Sequence, residues 1–445
     1  MTGRRIVVTP PGPKTSKLLE RDKQVISPSY YRTYPIVVDS GSDCLVRDVD
    51  GNVYIDLAAS VAVLQTGHCH PKVVEAIKRQ AERLVHYTFA GFCHEPGVKL
   101  GEKLCQITPG SFDKKVCYGN SGAEAVEAAL KMVRWHTGKH RIISFIGGFH
   151  GRTFGALTCT TSKLVIVEKF GPLLPGVVHV PYPYCYRCPF RMEYPDCSLY
   201  CVDFIDEWYL SRFVPPSEVA AFIFEPIQGE RGYIVPPDDY FKKLKKLADG
   251  YGILLIDDEI QMGVGRTGKW WAIQHYGVEP DAICFAKGIA SGMPLSGVVA
   301  KAEIMDWQMG THFGTFSANP VSCAAALATL EVIEEERLME NAVKVGEHAM
   351  KRLRELAEEV ELIGDVRGKG LAIAFELVKD RKTKEPAVKE CLKTLIGSLK
   401  KGVLLLRAGE STVRICPPLT MSVELMDEAI DIIAEVLKEI SRGEV

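Results

Sequence analysis

Nowhere in the 445 residues is there a run of eighteen apolar side chains, so no segment is long enough to cross a bilayer as a helix. The first residues, MTGRRIVVTPPGPKTSKLLERD, carry basic side chains but no apolar stretch of signal-peptide length, which predicts a cytoplasmic protein. Charge of one sign is equally scarce. Lys and Arg total 54 against 56 Asp and Glu, a net charge of -2, and this excludes nucleic acid and anionic membrane as expected partners. Internal repeats and low-complexity tracts are absent too. What remains is an apolar content of 47%, enough for a large core and for two or three domains, or one large domain with a smaller companion. Cysteine is the exception to this plainness, with 14 residues. Most stand singly among apolar neighbours (Cys44, Cys105, Cys159, Cys284, Cys323), where a buried free thiol is expected.

Prolines 10, 11, 13, 28 and 35 predict an irregular arm over residues 1 to about 35. Two short strands follow, CLVRDVDG and VYIDL, joined by a turn at Asp50-Gly51-Asn52. HPKVVEAIKRQAERLV and AEAVEAALKMVRWHTG have helical periodicity, the second closing at Gly138. Between the helices lie KKVCYG, RIISFIG, VAAFIFEPI, GILLIDDEI and AICFAKG. Short, nearly continuous apolar runs of this kind argue for a mostly parallel sheet covered on both faces. The last third holds a long helical stretch from NPVSC to EEV, then the strands LAIAFELV, VLLLRA and VRICPPL, then a final helix. The expected division is an N-terminal arm and part of a small domain over 1–65, a large domain over 66–320, and the rest of the small α/β domain over 321–445.

Three segments carry chemistry. Gly119-Asn120-Ser121-Gly122-Ala123 joins a strand to a helix, where free N–H groups and a positive dipole end suit a phosphate. Such a turn is also common packing grammar. GILLIDDEIQMGVGRTG, residues 252–268, puts Asp257 and Asp258 at the end of an apolar strand, beside the crevice where open α/β sheets bind ligands. A protonated ring nitrogen would pair with a carboxylate there, and a Mg²⁺-binding cluster fits the same residues. AICFAKGIASGMPLSG places Lys287 at a strand end among Gly and Ala. Apolar surroundings lower an amine's pKa and make it a usable nucleophile, although lysine at a strand end is usually solvated.

Together these segments resemble the class III (ω-)aminotransferases, pyridoxal-phosphate (PLP) enzymes of fold type I, from VRDVDGNVYIDLAASVAVLQTGHCHP to VRICPPLT. The resemblance implies a large domain with a mostly parallel central sheet, and a smaller α/β domain from both chain ends. It implies that Lys287 forms the Schiff base with the cofactor and shuttles the Cα proton, and that Asp258, not Asp257, pairs with the ring nitrogen. Gln261 would bond the ring hydroxyl, Phe149 would stack on the ring, and Ser121, Gly122 and Ala123 would hold the phosphate. Thr315 would reach the phosphate of a neighbouring subunit, which implies a homodimer with shared sites, or a larger assembly built from it. Glu225 and Glu230 match acids near the substrate, Glu230 resembling a gate that pairs with Arg414, and Arg152 matches a second carboxylate-binding position. A plain salt bridge is the alternative role for both arginines.

Two positions depart from the family's pattern. Val61 stands where ornithine-specific relatives carry tyrosine, which argues for a 4-aminobutyrate-like or apolar amino acid. Arg231 stands where a small residue is usual after Gly-Glu. A third feature lies outside the family core. Cys185, Cys188, Cys197 and Cys201 have C-x2-C-x8-C-x3-C spacing, open to Zn²⁺, two disulfides or four free thiols, and structural in any of these. The expected activity is transfer of an amino group from a small amino acid or ω-amino acid to a 2-oxo acid. The alternative is a racemase or epimerase of apolar amino acids on the same scaffold, since both begin by removing the Cα proton. The Glu-, Lys- and Arg-rich helices between 331 and 359 suit a thermophile's ion-pair networks, and equally an ordinary solvated face.

Overall fold

The computed structural model describes residues 3–444, which fall into two compact units. The larger is Lys72–Met339; the smaller joins Met1–Pro71 to Glu340–Val445. Helix Pro320–Glu335 thus belongs to the larger unit.

A seven-stranded sheet organises the larger unit. In chain order its strands are β1 (Lys114–Gly119), β2 (Arg141–Phe145), β3 (Val177–Val180), β4 (Val219–Phe224), β5 (Leu254–Asp258), β6 (Ala282–Phe285) and β7 (Ser296–Lys301). Their spatial order is β1-β7-β6-β5-β4-β2-β3. Only β7 runs against its neighbours, as the apolar runs predict. Strand β4 is buried along its whole length, which is why VAAFIF shows no polar alternation. Helix α1 (Gly122–Thr137) packs Val126, Ala129 and Val133 against the sheet, in one core with Ile223 and Ile256. It ends where Gly138 turns left-handed at φ 65°.

The smaller unit contains two four-stranded sheets. In the first, Leu45–Asp48 and Val53–Asp56 pair antiparallel, and Val403–Leu404 adds a parallel strand from the other end of the chain. The second, from Ile363–Lys369, Ala372–Leu377, Thr412–Ile415 and Leu406–Ala408, is antiparallel throughout. The irregular N-terminal arm needs correction: Pro13–Val25 is helical. Pro13 takes the first helical position, where its missing N–H costs nothing, and no further proline follows before Pro28. The long helical stretch after 319 is broken by Arg337, whose φ is +53°, into helices Pro320–Glu335 and Leu338–Glu359. Among the described residues no helix is long and apolar enough to cross a membrane.

Candidate active site

Six strands of the larger unit run in one direction, and the chemistry-bearing residues follow the ends of five of them. Asp258 closes β5, opposite Cys284 on β6, and Lys287 comes three residues after Cys284. Glu225 follows β4, Phe149 and His150 lie in the loop after β2, and Ser121 caps the helix after β1. This is the crevice side that an open α/β sheet offers to ligands.

The tightest contact is between buried groups. His150 Nδ1 lies 2.7 Å from Asp258 Oδ2, and Asp258 Oδ1 accepts the Ile260 N–H at 3.1 Å. Burial works against a charged imidazole. The hydrogen bond and charge of Asp258, helped by Glu225, outweigh it and hold His150 above its ordinary pKa. His150 stands in the segment GGFHGRT, where the family resemblance points only to Phe149 and Arg152. Its partner is remote in the chain, so only the strand register reveals the pair.

Glu225 ties two loops together. Its Oε1 accepts the Phe149 N–H at 2.8 Å and its Oε2 the Gly229 N–H at 2.9 Å. Burial pushes its pKa up to about 7; the His150 charge opposes this and the Asp258 charge adds to it. Gln261 is buried beside Gly229, where an added Cβ would lie 2.6 Å from Gln261 Oε1. At Gly122 a Cβ would come within 3.0 Å of Ile260. Both glycines therefore let backbone approach the loop after Asp258. Ser121 accepts the Glu124 N–H at 3.3 Å, and the first-turn N–H groups of Gly122 and Ala123 have no helical acceptor.

Lys287 is half-buried and held at φ +42°, a left-handed conformation that costs about 1–3 kcal/mol for a residue with a side chain. Strain of this kind concentrates where a side chain must be aimed. The Arg152 guanidinium lies 4.9 Å over the Phe149 ring. Lys163 Nζ donates to Glu230 Oε2 at 2.9 Å, an ion pair the sequence did not announce. Thr315 is exposed on the loop before Asn319 and makes no hydrogen bond among the described residues.

Two expected residues belong to the smaller unit. Arg414 is buried on strand Thr412–Ile415 and donates to the Arg407 carbonyl at 3.3 Å. Val61 sits in a run of four left-handed residues, Ala59 to Ala62, with its own φ at +67°. The start of this turn is fixed by Asp56, whose Oδ1 accepts the N–H groups of Ala58 and Ala59 at 2.8 and 3.0 Å.

The four clustered cysteines line one small cavity in the larger unit, with Tyr182, Phe190 and Tyr200. All are free thiols, and Cys201 is pushed up to about 12, chiefly by burial. Among the described residues no group of three or more His, Cys, Asp or Glu is arranged to hold a metal ion.

These donors fit a flat, phosphorylated pyridine aldehyde. A buried carboxylate held by an imidazole suits a ring nitrogen, and the amide of Gln261, three residues further on, is buried against Gly229. A helix start opens toward an anion, and a lysine stands at a strand end. Comparison with known proteins agrees. The aminotransferase class-III family pattern matches residues 26–437. An alanine/serine racemase of Pyrococcus horikoshii is 43% identical, across 99% of this chain and 94% of that protein. A probable 4-aminobutyrate aminotransferase of Bacillus subtilis is 39% identical, across 89% and 92% respectively. A thermostable (S)-enantioselective ω-transaminase of Thermomicrobium roseum superposes with a TM-score of 0.89 at 34% identity, covering 96% of this chain and 98% of that one. The chain therefore belongs to the class III aminotransferase family, as a PLP-dependent enzyme of fold type I.

Proposed function

We propose that this enzyme removes the Cα proton of a small amino acid or ω-amino acid with Lys287, and carries the amino group to a 2-oxo acid. The observation that carries this reading is the buried His150–Asp258 pair beside the strand that leads to Lys287. When bound, PLP supplies an aldehyde for the amine and an electron-withdrawing ring that acidifies the Cα–H bond. Asp258, braced by His150, would hold the ring nitrogen protonated, and Gln261 would bond the ring hydroxyl. Phe149 would lie against the ring, and Ser121 with the N–H groups of Gly122 and Ala123 would take the phosphate. Lys287 would take the aldehyde, then move the proton at Cα once its amine is released. Arg152 and Arg414 would bind carboxylates, Glu230 would gate Arg414, and Val61 and Glu225 would shape the pocket.

Racemisation is the second reading. The alanine/serine racemase relative exceeds the aminotransferase relative in both identity and coverage. Racemisation needs only a proton returned to the opposite face of Cα. The exposed Thr315 supports a homodimer in which each subunit completes its partner's phosphate site. We place the enzyme in the cytoplasm. Surface networks such as Arg352 with Asp427 and Asp431 suit work at high temperature.

A chiral assay with and without 2-oxo acid tests the choice. Transamination needs the oxo acid, and its products include a new oxo acid. Loss of optical purity without any oxo acid would reverse the order of the two readings. Neither reaction with any small amino acid or ω-amino acid would remove both.

A further inference from the structure

Helix Phe154–Cys159 begins without a cap of its own. Thr153 stands at its N-cap, where a threonine hydroxyl usually accepts a first-turn N–H, yet its side chain makes no such bond. Glu127, on α1, serves instead. Its Oε1 accepts the N–H groups of Gly155 at 2.9 Å and Ala156 at 3.2 Å, and the Thr153 hydroxyl at 2.6 Å. Hydrogen bonds to a carboxylate are stronger than neutral ones. Gly155 makes the approach possible: a Cβ there would lie 2.2 Å from Glu127 Oε2.

The other side of the loop is held as closely. The buried Thr160 accepts, at Oγ1, the N–H groups of His150 at 2.9 Å and Gly151 at 3.3 Å. Gly151 has φ +142°, and a Cβ there would lie 2.8 Å from the Cβ of Ala123. The loop therefore rests on the start of α1. Between the two anchors stands Arg152. It is exposed, lies 4.9 Å over the Phe149 ring, and its guanidinium makes no hydrogen bond or ion pair among the described residues. A local cap would satisfy the same N–H groups of the helix. What the carboxylate from α1 adds is a fixed distance between the helix that follows the phosphate turn and the loop that carries Arg152.

We propose that Glu127 is a positioning residue: it ties the Arg152 loop to α1 and so aims the guanidinium at a substrate carboxylate. This role rests on the carboxylate binding proposed above for Arg152. A guanidinium takes a carboxylate best through two parallel hydrogen bonds, which need a set orientation as well as a charge.

Calorimetric titration of the holoenzyme with glutarate, a dicarboxylate without an amine, tests both steps. Arg152→Ala should weaken binding by at least about tenfold. Glu127→Ala should weaken it by about threefold to tenfold, a coupling usual between residues of one network. The double variant should bind no more weakly than Arg152→Ala alone, and Glu127→Gln should bind nearly as wild type, because its amide oxygen accepts the same three bonds. PLP affinity should stay at the wild-type value in Glu127→Ala. Wild-type affinity for glutarate in Glu127→Ala, with Arg152→Ala weakened, overturns the positioning role alone. So does a full sum of the two losses in the double variant, a loss in Glu127→Gln as large as in Glu127→Ala, or a parallel fall in PLP affinity. Should Glu127→Ala fail to fold, Thr153→Val, which removes one of the three bonds, takes its place: weaker glutarate binding is expected and wild-type affinity overturns the role. Failure of the underlying reading looks different, since Arg152→Ala itself would then bind as wild type, or wild type would not bind at all.

Discussion

His150 and Asp258 form a 2.7 Å contact between side chains that are 0% and 2% exposed, and this contact fixes the carboxylate that faces the crevice. Hydrogen bonds to a charged group contribute about 1.5–3 kcal/mol. His150→Asn should therefore lower kcat by about 10–100-fold while the fold is kept. Steady-state kinetics beside a circular dichroism spectrum checks this. Unchanged kcat would mean that Asp258 needs no brace.

Gly229 is constrained by contact and not by backbone angle. A Cβ there would sit 2.6 Å from Gln261 Oε1, so Gly229→Ala must displace Gln261. Overpacking of this kind costs about 1–3 kcal/mol. The variant should melt earlier and bind PLP more weakly, measured by equilibrium dialysis. Wild-type affinity would show that Gln261 has no part in holding the ring.

Glu225 gives a pH dependence with a definite sign. Its pKa is raised from 4.5 to about 7, so the folded protein holds a proton there that the unfolded chain releases. Its contribution to stability is greatest below 4.5 and is lost as pH rises to about 7, levelling above. Urea midpoints across this window should fall in wild type and flatten in Glu225→Gln. That variant should also lose about 1–3 kcal/mol, because its amide turns a donor toward the N–H of Phe149 or Gly229. A parallel dependence in both proteins would locate the effect in other groups.

Val61 at φ +67° is a β-branched residue in the left-handed region, at a strain of about 1–2 kcal/mol. Val61→Gly relieves the strain but gives the unfolded chain more conformational freedom, so stability should stay level or rise by up to about 1 kcal/mol. If Val61 lines the substrate pocket, the same change should widen the range of amino acids accepted. Thermal melting with a substrate panel measures both, and an unchanged range would place Val61 outside the pocket.

The strands were readable because a parallel sheet buries both faces and leaves unbroken apolar runs such as VAAFIF. Asp258 and Lys287 were readable because each follows such a run directly. His150 was not, since nothing within GGFHGRT says that its partner ends a strand more than a hundred residues later. Lys163 was hidden for the same reason: its attachment to Glu230 is set by loop packing alone. The N-terminal helix was obscured by prolines that flank it without interrupting it.

The central claim is that Lys287 is the amine that carries the cofactor. Borohydride reduction of the holoenzyme, followed by peptide mass mapping, tests it with the fewest assumptions. A phosphopyridoxyl group should be found on Lys287, and Lys287→Ala should incorporate none. A stable adduct on another lysine, or none in wild type, would contradict the account.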